Sequence, residues 1–296
     1  MVSLIIPTYR YEVYPLVKRL HQECLELGLI FEILCSDDAS PDGVDTLAIE
    51  ALSNCRYYVQ PNNLGLSYAR NFLIDRAQYD CIILLDCDTL PVYTDFVKRY
   101  VDAFLNQPAS FFSGGLQYQA APIATHEILR WVYGNSREAV SATIRQQHPY
   151  EYSLCSNICF SKKGLREARF QPAIKDYGYE DLVFFKALEK QQISVCHLDN
   201  PVFHLKLESS QHFLDKTKTA LKTLESLVQN KLIDPQDTTL LKAYRLLKTL
   251  QLTRITAWIF TKTQGRLEKN LLSGSPSLWI FDLYKLGYFC SLQGLK

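Results

Sequence analysis

Short apolar runs alternate with longer stretches of helical spacing over about the first hundred residues, and each run stops on polar side chains. Ser3-Leu4-Ile5-Ile6 reads as a strand halted by Pro7. Residues 14–27 place Leu16, Val17, Leu20, Cys24 and Leu27 at the period of a helix that closes near Gly28. Residues 31–35 form a second strand, ended by the loop-forming series Ser36-Asp37-Asp38-Ala39-Ser40-Pro41-Asp42-Gly43. A helix around 44–52, a strand near 57–60 and a helix over 65–77 lead to Cys81-Ile82-Ile83-Leu84-Leu85, a continuous buried strand. Strands spaced by helices of this length predict an α/β fold with a mostly parallel sheet. The middle is less regular: strands over 111–115 and 154–161 flank an amphipathic helical stretch around 126–145, and a helix over 181–190 precedes a strand at 193–197. Beyond about residue 210 the spacing is helical to the end, and no internal repeat is visible.

With 296 residues, 47% of them hydrophobic, the chain can bury a large core in one or two domains. Its 32 Lys and Arg against 31 Asp and Glu leave a net charge of +1, which argues against a general nucleic-acid binder. Several of the nine cysteines lie in apolar runs and they form no CxxC pair, as expected of free thiols in a reducing compartment. No leader pattern opens the chain, and the longest apolar candidate, residues 278–290, is interrupted by Asp282 and Lys285. A cytoplasmic protein is expected, soluble or resting on the membrane face.

Ligands of an open parallel sheet bind beyond the carboxyl ends of its strands, and four polar clusters fall at such ends. Pro7-Thr8-Tyr9-Arg10 follows the first strand and Asp37-Asp38 the second. There a carboxylate suits a ring N–H of a uracil base and Tyr9 suits stacking on it, although for either aspartate alone an Asx-turn or helix cap is the better reading. Asn63-Leu64-Gly65 precedes a helix whose first amides, with Arg70, can face a diphosphate; a solvated Arg70 is the plainer alternative. Asp86-Cys87-Asp88 caps the most apolar strand. Two acids one residue apart are expected to point to one side and to hold a hard divalent cation, Mg²⁺ or Mn²⁺, together with substrate phosphates.

In this order the clusters resemble the family 2 glycosyltransferases, whose fold is GT-A. Residues 3–10 are similar to the family's opening strand and nucleotide-contacting turn, and residues 35–40 to its Asp-Asp-Gly-Ser segment with Ala39 in place of glycine. Residues 63–71 look like its Asn-x-Gly…Ala-Arg-Asn helix start, and residues 86–88 like its Asp-x-Asp metal motif. Asp176-Tyr177-Gly178-Tyr179-Glu180-Asp181 is similar to the segment carrying the catalytic base, and Asp199-Asn200-Pro201-Val202-Phe203-His204 to one that closes the site with a histidine. The resemblance covers residues 1–210 and implies a nucleotide-sugar half over 1–110, an acceptor half over 111–210 and a helical region over 211–296.

It further implies an inverting transfer from a nucleotide sugar, UDP-linked by family habit, to the hydroxyl of a glycan or lipid-linked acceptor in polysaccharide or glycolipid assembly. Asp88 is the expected metal ligand, with Asp86 acting through water or ribose, Cys87 beside the nucleotide, and His204 completing the metal shell or serving only the core. Asp181 is the expected base, with Glu180 positioning it or the acceptor, and both also suit an acidic helix start. Gly114 and Gly115 can let backbone approach the donor sugar or mark a bulge. Trp131, Tyr133, Arg137 and Asn157 lie where an acceptor lobe is expected, though aromatics there also suit plain core. His197 is assigned to structure. Residues 242–269 carry seven cations against Glu268, with Trp258, Ile259 and Phe260 among them, which suits anionic lipid or a solvated helical face. The competing classes are a nucleotidyltransferase, whose glycine-rich phosphate loop is missing from residues 7–14, and a non-catalytic nucleotide-sugar-binding protein.

Overall fold

The computed structural model describes residues 1–41, 46–107, 111–120, 124–152, 154–174 and 176–294. The chain divides into two compact units: Met1–Gln119, Arg137–Lys175 and Glu180–Lys206 form the first, and Ala120–Ser136, Asp176–Tyr179 and Leu207–Lys296 the second.

In the first unit the elements run β1 (Val2–Thr8), α1 (Tyr14–Glu26), β2 (Phe31–Asp37), α2 (Leu47–Glu50), β3 (Cys55–Val59), α3 (Leu66–Arg76) and β4 (Cys81–Leu85). β5 (Thr89–Pro91), α4 (Phe96–Asn106), β6 (Phe111–Ser113) and β7 (Leu116–Gln117) follow. After α5 (Ile128–Tyr133), which belongs to the second unit, come α6 (Ala142–Gln147), β8 (Asn157–Ser161), α7 (Glu180–Lys190), β9 (Val195–His197) and β10 (Val202–His204). The main sheet has the order β3-β2-β1-β4-β8-β6-β9, and a small sheet the order β5-β10-β7. β3, β2, β1 and β4 are mutually parallel, whereas β8 runs antiparallel to both β4 and β6.

The unbroken apolar runs are explained by helices on both faces. Along β4, Cys81, Ile83 and Leu85 enter a core with Leu16, Val17 and Leu20 of α1 and Phe96 and Tyr100 of α4. The alternate Ile82 and Leu84 enter another with Leu73 and Ile74 of α3 and Phe184, Phe185 and Leu188 of α7. A strand buried on both faces needs no polar alternation. β1 continues through Pro7 to Thr8, beyond the expected stop. Val2 N–H and Thr8 C=O both bond toward the β2 side, so Pro7 turns its hydrogen-free nitrogen toward β4, whose pairing has already ended at Ile5.

The helix expected around 44–52 is the single turn α2, and its first two positions, Val44 and Asp45, lie outside the described residues, as do Asp42 and Gly43. The amphipathic helical stretch expected around 126–145 is broken into a 3-10 turn, α5, a π-helical turn at Gly134–Glu138, and α6. Gly134 weakens the centre, and Arg145 hooks back so that its Nε–H donates to the Val140 carbonyl.

The second unit is helical: α5, α8 (Ser210–Gln229), α9 (Thr239–Thr249), α10 (Thr253–Leu271) and α11 (Leu278–Gly294). Ser209 and Thr238 cap α8 and α9 by accepting from the His212 and Leu241 amides. Leu129, Phe213, Leu214, Phe260, Phe281 and Tyr284 form its core. Among the described residues no helix is long and apolar enough to cross a membrane.

Candidate active site

The strand order reverses direction between β1 and β4, and the crevice at such a reversal is where open α/β sheets take ligands. Thr8 closes β1 there, and Asp86-Cys87-Asp88 follows β4. Period two carries Asp86 onto the α3/α7 face, the face of Ile82 and Leu84. The chain then turns, with the Thr89 N–H and hydroxyl both donating to the Asp86 carbonyl. Asp86 and Asp88 then take different partners.

Asp86 meets Arg70. This guanidinium is buried on α3, 4.9 Å above the Phe170 ring. Its Nη2 donates to Asp86 Oδ1 at 3.0 Å and its Nη1 to Asp181 Oδ1 at 2.7 Å. Asp181, in the first turn of α7, also accepts the Cys155 amide on Oδ2 at 2.9 Å. Arg70, expected to face a diphosphate, is instead a strut between two acids. Those acids push its pKa well up against the opposing effect of burial. Burial raises the Asp86 carboxyl, aided by Asp88 and Asp181 and opposed by Arg70. Glu180 begins the same helix turn.

Asp88 meets His204. The register His204↔Thr89 brings β10 alongside β5, and the Leu205 amide donates to the Asp88 carbonyl. Asp88 Oδ2 lies 3.6 Å from His204 Nε2, and the imidazole stacks on Tyr118, whose hydroxyl bonds Glu138. Tyr11 is also close: burial, then Asp88 and Cys87, raise its pKa, and Lys206 Nζ lies 5.6 Å from its ring centre. Cys87 is a neutral thiol, pushed up to about 12 by burial and the flanking aspartates.

The Asp88–His204 pair fits one divalent ion. A carboxylate oxygen with an imidazole nitrogen suits Mn²⁺, and their separation can be spanned by bonds of roughly 2.1 Å each. Among the described residues no three His, Cys, Asp or Glu side chains form a metal-holding group, so phosphate and water oxygens would fill the other positions.

The turn after β2 engages both aspartates in hydrogen bonds within the protein. Asp37 is buried and accepts the Ser40 hydroxyl at 2.6 Å, and Asp38 accepts the Leu64 and Gly65 amides at 2.8 and 2.7 Å. Asp37 thus holds its own turn, and Asp38 ties that turn to the loop after β3, where two amides would otherwise lack an acceptor. Ala39 holds a φ of 62°, the left-handed conformation that glycine takes without strain. Gly65, at φ 89°, opens α3, and Asn63 beside it is exposed. Tyr9 is 43% exposed with the Arg10 guanidinium 5.3 Å from its ring centre, and Thr8 turns its hydroxyl to the Tyr11 carbonyl.

Two expected sugar contacts are internal. Asn157 is buried, accepts the Tyr100 hydroxyl, and donates to the Gly115 and Asn200 carbonyls. A Cβ on Gly115 would lie 2.6 Å from Arg145 Nη2, and one on Gly114 2.3 Å from the Asn200 carbonyl. These glycines admit a polar web. Trp131 sits half-buried on α5 in the second unit, where Tyr133 packs on Phe213 and Phe281. His197 is structural: its Nδ1 is 2.6 Å from Arg145 Nη1 and its Nε2 3.0 Å from the Pro149 carbonyl.

A sequence profile described as glycosyl transferase family 2 matches residues 3–159, more than half of the chain. The chain belongs to glycosyl transferase family 2. It is therefore a glycosyltransferase with the GT-A fold. No curated protein sequence matches it. Among solved structures, this glycosyltransferase is similar to the Pyrobaculum calidifontis mannosyltransferase PcManGT in complex with GDP-Man and Mn²⁺, at 14% identity and a TM-score of 0.58, covering 100% of this chain and 86% of that one. It is also similar to S. aureus TarS 1-349 in complex with UDP-GlcNAc, at 15% identity and a TM-score of 0.51, covering 75% of this chain and 66% of that one. Against another S. aureus TarS structure the match has 16% identity and a TM-score of 0.49, and it covers 73% of this chain but only 38% of the TarS chain. At these identities the likeness is one of fold.

Sequence reasoning missed Tyr11, Tyr118, Lys206 and Phe170. Tyr11 had a readable signal, an aromatic three residues beyond Thr8 in the same loop. The others are placed by distant partners.

Proposed function

We propose that this glycosyltransferase moves a sugar from a nucleotide sugar, UDP-linked, to an acceptor hydroxyl of a glycan or lipid-linked glycan in polysaccharide or glycolipid assembly, with inversion at the anomeric carbon. The observation that carries the reading is the single Arg70 guanidinium binding Asp86 and Asp181 together, which holds the acid after β4 and the α7 acid at one crevice. Asp88 and His204 would hold a divalent ion, Mn²⁺ or Mg²⁺, which when bound neutralises charge on the departing diphosphate. The mannosyltransferase structure with GDP-Man and Mn²⁺ supports that assignment by analogy. Asp181 takes the proton of the attacking hydroxyl. Its Oδ1 and Oδ2 already accept from Arg70 and Cys155, so the carboxylate is oriented before substrate arrives. Exposed Tyr9 offers a stacking face for the base, while Thr8, Arg10, Asn63 and the Gly65 turn frame the nucleotide end. Glu180 positions the acceptor.

The test incubates the protein with a panel of nucleotide sugars and Mn²⁺, with and without acceptor glycans, and identifies the released nucleotide and the anomeric configuration of the product. Asp88→Ala is expected to lose metal-dependent nucleotide binding, and Asp181→Asn to keep donor binding while transfer falls about 10²- to 10⁴-fold. Full activity in both variants, or a retained configuration, would sink the assignment.

A further inference from the structure

Helix α10 has two faces of opposite character. Phe260 and Leu271 point into the helical core. On the opposite side Ile255, Trp258 and Ile259 recur at helical spacing, 54%, 63% and 48% exposed. Further along the same stripe come Lys262, Arg266 and Lys269, all exposed, with Arg254 at the other end. The one acid of the helix, Glu268, is turned from this stripe: it accepts from Gln264 and from the Tyr284 hydroxyl, and lies 3.6 Å from Lys218. α9, which precedes it, adds Lys242, Arg245 and Lys248, carries no acid, and leaves Leu246 61% exposed.

An exposed tryptophan between two exposed isoleucines is costly in water and marks a surface that meets something. A second copy of the chain suits it poorly, since face-to-face pairing would bring two sets of four like charges together. An anionic bilayer answers every element: phosphates for the cations, the headgroup boundary for the indole, and the acyl margin for the isoleucines. We propose that the outward face of α10 docks on an anionic lipid bilayer, the helix lying in the interface plane. Trp258, Ile255 and Ile259 sit at the headgroup–acyl boundary, and Lys262, Arg266 and Lys269 lie over lipid phosphates. This surface is independent of the transferase reading, because nucleotide release in vesicle-free buffer does not need it.

The full chain is co-sedimented with vesicles of phosphatidylcholine alone and of phosphatidylcholine doped with phosphatidylglycerol, at low and high salt. Binding is expected only to the doped vesicles, and weaker in high salt. The triple variant Lys262→Gln, Arg266→Gln, Lys269→Gln should bind about 100-fold more weakly, and Trp258→Ser should also weaken binding, with circular dichroism and Tm unchanged because all four positions are exposed. Equal partition to both vesicles, no binding to the doped ones at low salt, or unaltered binding by the triple variant would overturn the proposal. So would a stable dimer in sedimentation velocity that Trp258→Ser dissociates.

Discussion

Arg70 and Arg145 are both buried in the first unit, yet they are compensated in different ways. Arg70 faces two carboxylates, and its pKa is pushed well up. Arg145 donates to the carbonyls of Ser113, Gly114, Val140 and Leu198 and meets the His197 ring, and burial lowers its pKa. A guanidinium matched by formal charge can hold acids in working positions beside a crevice. One matched by carbonyl dipoles can only knit loops. The difference separates a part of the chemistry from a part of the scaffold, although both sites look alike by burial.

The largest test of that contrast is Arg70→Met, which leaves Asp86 and Asp181 facing each other without a counter-charge. It should cost about 3–5 kcal/mol in urea unfolding and eliminate transfer in the folded fraction. Arg145→Met should cost about 2–3 kcal/mol, because several carbonyls lose donors, while nucleotide affinity per folded molecule stays at the parent value by calorimetry. Equal activity losses in the two variants would erase the distinction. Gly114→Ala sharpens it from the packing side: its Cβ would press on Asn200, Tyr100 and Asn157, for a loss of about 1–3 kcal/mol with donor binding retained. The remaining effect is a pH dependence. Burial, with Arg145 beside it, lowers His197 from the ordinary 6.5 to about 4, against the opposing Pro149 carbonyl. The folded chain thus binds this proton less readily than the unfolded chain, so its contribution is complete above pH 6.5 and fades as pH falls toward 4. His197→Gln should flatten the fall of Tm across that window, read by scanning calorimetry.

The parallel half of the sheet was legible because burial on both faces writes each strand as an unbroken apolar run, as in β4. The ends of these strands were legible too, since polar clusters mark them. What each cluster bonds to was not. Asp86 and Asp88 take different partners, Arg70 and His204, and strand parity does not extend past the turn that Thr89 closes. Arg70 finds Asp181 across a separation of 111 residues, and Asn157 finds Gly115 across 42, which no local pattern encodes. Asp37 holds Ser40 of its own turn, as a local pattern can suggest, but Asp38 reaches the Leu64 and Gly65 amides 26 and 27 residues on, which none encodes. The acidic start of α7 was readable as a helix terminus, but its use of the Cys155 amide depends on β8 being antiparallel to β4.

Directly after Arg70 on α3, Asn71 treats the loop before α7 as a strand would. Its side-chain amide donates to the Phe170 carbonyl at 2.8 Å and accepts the Phe170 N–H at 3.1 Å. The ring so fastened is the floor under the Arg70 guanidinium. Two consecutive residues therefore supply both the tool and its workbench. Evolution of new specificity through this loop is constrained accordingly, since any change that shifts residue 170 tilts the charge that steadies both acids.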